Sequence, residues 1–210
     1  QPLMRHVLAD MALDVEAAVA LSFRLARAFD SASELDQAWK RLMTPVVKYW
    51  TCKNAPALAA EAMECLGGNG YVEDQPLARI YREVPVNSIW EGSGNVMALD
   101  LLRVLQREPE TVEIVMADLT AAVAGDAHLK AHLARVHAML QEPQFLERRG
   151  RQLAEALALL AAGTILRAHA PREVADAFIV TRLSAHPRQS YGQGIDWADA
   201  RAIIERAHPP

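Results

Sequence analysis

Apolar side chains recur at three- and four-residue steps from Met4 to Phe29, through Val7, Leu8, Met11, Val15, Ala18, Val19, Leu25 and Ala26. That period predicts one amphipathic helix over 3–29. Asp30, Ser31 and Ser33 interrupt it, and Ser33 is placed to cap a short helix over 34–43. Thr44-Pro45 reads as a second start, with Thr as cap and Pro at the first helical position. This helix is expected to run to about Leu66 and to bend at Pro56. Gly67-Gly68-Asn69-Gly70 ends it, because glycine tolerates positive φ.

Residues 71–92 keep no sustained period, and Pro76 and Pro85 fence a short turn around Ala78–Tyr81, so the stretch is expected to be irregular. A helix resumes near Ser93 and runs through Met97, Leu101, Leu102 and Leu105 to about Arg107. Glu108-Pro109-Glu110 is the clearest boundary, since the residue before a proline is pushed out of helical geometry. Helices follow at about 110–124, 126–141, 144–169, 172–183 and 198–207, with a turn-rich stretch at 184–196. No segment alternates with the period of a strand. The fold class is all-α: a helical bundle over 1–108, then a second helical extension over 109–210.

Composition agrees: 51% of the 210 residues are hydrophobic and 23% charged, a globular balance with room for a real core. The formal charge of −4 argues against a chain that coats nucleic acid. Residues 1–109 carry 11 basic against 14 acidic side chains and residues 110–210 carry 11 against 12, so neither half is a basic domain. Cys52 and Cys65 form no C-x-x-C pair and no disulfide framework, which suits a reducing cytoplasm. The longest apolar run, within Leu153–Leu166, is too short to span a bilayer, and acidic residues stand near the N-terminus where a signal peptide would be apolar.

Several residues are candidates for chemistry, and each has a plain alternative. The glycines at 67–70 either terminate a helix or open the backbone to a phosphate. No strand precedes them and no Gly-Lys-Ser/Thr follows, which excludes the dinucleotide and Walker A fingerprints. Glu91 is either an acid at a helix start, favoured by the macrodipole, or a base whose pKa is raised by apolar Ile89 and Trp90. Ser93 and Asn95 either cap the next helix or bind a flat polar ligand. His128 and His132 share a helix face, but without an H-E-x-x-H base or a third ligand they read as solvated histidines. Tyr191, Trp197, Arg188 and Arg201 suit either local packing or stacking and phosphate contact with nucleic acid.

Residues 61–97, EAMECLGGNGYVEDQPLARIYREVPVNSIWEGSGNVM, closely resemble the C-terminal signature of the acyl-CoA dehydrogenase flavoproteins. Glu64, Gly67, Gly68, Gly70, Tyr71, Asp74, Arg79 and Glu83 stand at the family's spacings, and Trp90-Glu91-Gly92-Ser93 matches its aromatic-Glu-Gly-Thr/Ser element. LADMALDVEAAVALSFRLARAF resembles the first helix of the family's C-terminal bundle. PVNSIWEGSGNVMALDLLRVL, residues 44–73 and APREVADAFIVTRL resemble the AidB-like, alkylation-response branch most, while 111–170 match loosely.

The resemblance implies α,β-dehydrogenation of an acyl-CoA thioester, with FAD as hydride acceptor, electron-transfer flavoprotein as oxidant and a homo-oligomeric assembly. It implies Glu91 as the base that removes the α-proton, although some members take the base from a helix upstream of this chain. It places Gly92, Ser93 and Asn95 against FAD, and Glu64, Gly67 and Gly68 against the FAD adenosine diphosphate of a neighbouring subunit. Glu64 replaces the family's usual Gln, which makes that contact acidic. The N-terminal helical and middle β-domains of the family are missing, so the chain is expected to be a C-terminal portion that is not competent alone. The AidB-like branch is also associated with double-stranded DNA; the densest basic cluster, Arg148, Arg149 and Arg151, is either a solvated face or a phosphate contact.

Overall fold

The computed structural model describes residues 1–123, 125–184 and 190–208. Among them are ten α-helices and no strand: α1 (Pro2–Phe29), α2 (Glu34–Cys65), α3 (Gly68–Tyr71), α4 (Pro76–Asn87), α5 (Gly94–Arg107), α6 (Pro109–Ala122), α7 (Ala127–Leu140), α8 (Leu146–His169), α9 (Arg172–Arg182) and α10 (Ala200–Ala207). The fold is all-α, as the hydrophobic pattern indicates.

Ser33 caps α2 by accepting a hydrogen bond from Asp36 N at 3.1 Å. Thr44-Pro45, however, starts nothing, because α2 passes through both Pro45 and Pro56. A proline ring costs a helix interior about 3 kcal/mol. Here the surrounding turn offsets that loss by burying Leu42, Met43, Val46 and Val47 almost completely. The expected irregular stretch is also helical, with α4 opening on Pro76 and packing against α2 through buried Ala78.

α1 has the predicted extent but a different inward face. Leu13, Ala17 and Leu21 are buried together with Asp10 and Asp14, while Val15, Val19 and Phe23 stay exposed. The reason lies on α9. Arg182 Nε and Nη2 donate to Asp14 Oδ1 at 3.0 and 2.9 Å, Nη2 donates to the Asp10 carbonyl at 2.8 Å, and Nη1 meets the Asp10 carboxylate. Gly192 N donates to Asp10 Oδ2 at 2.8 Å, and the Tyr191 hydroxyl donates to Asp14 at 3.2 Å. Pairing of this completeness is what lets two carboxylates face a core.

One buried cluster draws on both sides of Pro109. Leu42, Val46 and Leu101 join Leu119, Leu153, Leu157, Leu160 and Phe178, and α8 packs against α1, α2, α5 and α7. At the α5–α6 corner, Arg41 of α2 donates to Glu108 at 2.8 Å and Asp100 at 3.2 Å. Among the described residues, no helix is long and apolar enough to cross a membrane.

Candidate functional site

The α4–α5 corner holds Glu91, Gly92 and Ser93. After Ser88 closes α4, Ile89 N and Trp90 N both turn back to the Val86 carbonyl at 2.9 and 3.0 Å. Glu91 then takes φ +51, the only positive value at a non-glycine among the described residues. Gly92 follows at φ +115, a conformation that calls for glycine; a β-carbon there would also lie 2.3 Å from Met97 Cε, so the end of that side chain would have to move aside. A left-handed glutamate costs of order 1 kcal/mol and marks a position held by its surroundings.

What holds it is Lys48 of α2, whose Nζ donates to the Trp90 carbonyl at 2.6 Å and to the Gly92 carbonyl at 2.8 Å. The sequence pattern did not single this lysine out. The signal available was a cation in an apolar helix with no acid three or four residues away on either side.

Glu91 is exposed, and its carboxylate makes no hydrogen bond or ion pair with another described residue. The apolar surroundings expected from Ile89 and Trp90 do not enclose it, for these side chains are 65% and 57% exposed. Val96 and Leu99 at the start of α5 are exposed as well. Ser93 occupies the cap position of α5 without a side-chain capping bond, so its hydroxyl is not spent on the helix. Asn95 accepts from Arg151 Nε at 2.8 Å, which ties α5 to α8.

Glu64, Gly67 and Gly68 lie at a second corner, where α2 meets α3. Gly67, at φ +59, donates to the Glu64 carbonyl at 2.8 Å. A β-carbon on Gly67 or Gly68 would meet nothing within 4 Å, so this main chain is open to whatever approaches. Gly70 differs: a β-carbon there would lie 2.0 Å from the Met63 carbonyl oxygen, so α3 folds back directly onto α2. Glu64 lines a cavity of about 430 Å³ with Asp14, Glu61, Glu155, Arg182 and Tyr191. Gly92 lines a different, shallow depression with Lys48, Cys52, Lys53 and Gly94. The fold thus presents the two halves of the signature on separate corners.

The remaining candidates come from other parts of the chain. His132 is buried, not solvated, and its Nε2 bonds to the Ala156 carbonyl at 2.9 Å. Burial pushes its pKa below the ordinary histidine value. His128 stays at the surface, with its main-chain N–H capped by Asp126. Among the described residues no three His, Cys, Asp or Glu side chains are grouped to hold a metal. Arg149 pairs with Glu142, Arg151 with Asn95, Arg201 with Glu205 and Trp197 Nε1 with the Gly194 carbonyl. Arg148 is exposed, and Arg188 lies outside the described residues.

Residues 1–106 match the family profile of the acyl-CoA dehydrogenase C-terminal domain. AidB of Escherichia coli (strain K12) is 44% identical over 179 residues, which cover 85% of this chain and 33% of that protein. Acyl-CoA dehydrogenase family member 11 of Caenorhabditis elegans is 39% identical over 108 residues, 49% of this chain and 18% of its own. The crystal structure of C. elegans ACDH-11 in complex with C11-CoA superposes with a TM-score of 0.67 at 25% identity, covering 92% of this chain and 37% of that one. The Bd2924 apo-form gives the same TM-score at 29% identity, covering 75% and 31%. The chain spans a third or less of the length of these curated relatives.

Proposed function

This chain belongs to the acyl-CoA dehydrogenase family, and from that premise we propose that it forms the C-terminal helical part of an FAD-dependent enzyme acting on acyl-CoA thioesters. In this reading residues 1–108 are the family bundle and 109–210 an extension packed against it. The observation that carries it is Glu91, an exposed carboxylate without a partner among the described residues, on a clamped left-handed turn beside exposed apolar side chains.

FAD, when bound, supplies the acceptor for the β-hydride. The residues present fit parts of two FAD sites, one at the start of α5 and one, at the α2–α3 corner, for the adenosine diphosphate of a neighbouring subunit's FAD. Gly67 and Gly68 leave main chain open for a close approach, Glu64 stands beside them, and Gly92, Ser93 and Asn95 lie along the start of α5. This chain's own chemical step is proton removal. The Glu91 carboxylate takes the α-proton of the thioester, and the C–H electron pair becomes the α,β double bond as hydride leaves the β-carbon. Exposed Ile89, Trp90, Val96 and Leu99 supply the apolar surface along which water is excluded once the site is covered.

The C11-CoA bound by the C. elegans neighbour supports an acyl-CoA as the substrate class. Electron-transfer flavoprotein as oxidant and a homo-oligomer follow from the same reading, and the exposed apolar residues of α1 suit a subunit or domain contact. Two free cysteines suit the cytoplasm. Double-stranded DNA, the other partner the resemblance offers, would be detected by a gel shift that weakens with salt.

The test is Glu91→Gln in the complete flavin-loaded polypeptide, following flavin bleaching by acyl-CoA without oxygen. Loss of a general base lowers the rate roughly 10²–10⁴-fold. An unchanged rate would show that Glu91 is not the base.

A further inference from the structure

We propose that Lys48 is a positioning residue for the reaction, because its ammonium fixes the turn that presents Glu91; the inference rests on Glu91 being the base. Three observations carry it. Lys48 Nζ contacts the carbonyl oxygens immediately before and after Glu91, at 2.6 and 2.8 Å, and makes no ion pair with a carboxylate among the described residues. Glu91 sits in a left-handed conformation that costs a glutamate of order 1 kcal/mol. Gly92, which follows it, has the widest conformational choice of any residue, so the local sequence alone leaves the turn under-determined.

The physical logic is electrostatic. Two carbonyl oxygens converging on one point repel each other, and a donor between them, most strongly a cationic one, makes the arrangement favourable. An ammonium is a compact point charge with three donors, which suits two separate single acceptors better than the planar fork of arginine. Lys48 sits on α2 between Val47 and Tyr49, with Val47 and nearby Trp50 in the core. The clamp therefore references Glu91 to a helix whose Val46, Val47 and Trp50 are anchored in the core rather than to its own loop. With both flanking carbonyls drawn to α2, the glutamate is held at the surface, clear of any partner among the described residues. Its placement then depends on a residue 43 positions earlier (91 − 48) that touches neither substrate nor cofactor in the proposed reaction.

The experiment uses the complete flavin-loaded polypeptide and the variants Lys48→Met, Lys48→Arg and Glu91→Gln. Lys48→Met keeps the apolar stem and removes the charge. It is expected to lower kcat for flavin reduction by about 100-fold, the usual consequence of an ångström-scale misplacement, with KM for acyl-CoA within about threefold. Its Glu91 amide is also expected to lose the strong intraresidue HN–Hα NOE that a positive φ produces, a readout independent of turnover. Lys48→Arg keeps a cation and is expected to recover at least about tenfold of the lost rate. A folded Lys48→Met enzyme that retains the Glu91 NOE, or retains kcat while Glu91→Gln is inactive, would overturn this proposal alone. So would a folded Lys48→Arg enzyme no faster than Lys48→Met. A fully active Glu91→Gln enzyme would overturn the base assignment and this proposal with it.

Discussion

Replacing Arg182 by Met tests the buried charge cluster that joins α1 to α9. The guanidinium is 4% exposed and the two carboxylates it serves are 0% and 4% exposed, so solvent screens almost none of the interaction. Methionine fills similar volume, and the change isolates the charge. Among their described partners, Asp10 and Asp14 would keep Gly192 N and the Tyr191 hydroxyl and lose the Arg182 guanidinium. Removing one partner of such a buried group costs about 3–5 kcal/mol, against about 5–15 kcal/mol for a whole domain. Most of that loss comes from charge left behind, so adding Asp10→Asn and Asp14→Asn should bring stability back to within about 2 kcal/mol of the parent. Urea unfolding followed by circular dichroism measures both, with a constant m value as the check that the transition is unchanged. A loss below about 1 kcal/mol for Arg182→Met would refute the argument. A triple variant no more stable than the single one would do the same.

Two further outcomes follow from the geometry. His132 is held neutral by burial, so its folded pKa lies below the unfolded value near 6.5; its contribution is complete above that pH and is lost as pH falls through the folded pKa. His132→Gln, which keeps a donor for the Ala156 carbonyl, should flatten the fall in Tm below pH 6.5; an unaltered slope would assign it to another group. Gly70→Ala places a methyl group on the Met63 carbonyl and should cost at least about 1–3 kcal/mol by the same urea assay, while Gly68→Ala, with open space around it, should cost under about 1 kcal/mol.

Much of this fold is legible in residue order because its helices announce themselves locally. Period, Ser33 and the glycines at 67–70 mark α1, the start of α2 and its end. The errors share one cause, burial by distant residues. Thr44-Pro45 has the chemistry of a helix start, and only the packing of the turn around it decides that α2 continues. Asp10 and Asp14 read as outward-facing until Arg182, more than 160 residues later, is seen to neutralise them. His132 reads as solvated because nothing near it in sequence reveals α8 lying over it. At the candidate site the glutamate and its glycine are visible as a motif, whereas Lys48 is not, because its partners are main-chain atoms that every residue possesses.

The charge cluster on α1 also sets an order of events during synthesis. Asp10 and Gly192 are 182 positions apart, and Asp14 and Arg182 are 168 apart. When α1 leaves the ribosome, its partners for those two carboxylates have not been made. Contacts of such separation form late and slowly. Until then α1 carries two acids on the face it must bury without the Arg182 guanidinium. α9 and the turn at Gly192 therefore complete a face that α1 has already begun to pack against α2, and a nascent chain stalled before Arg182 should leave that face loosely docked.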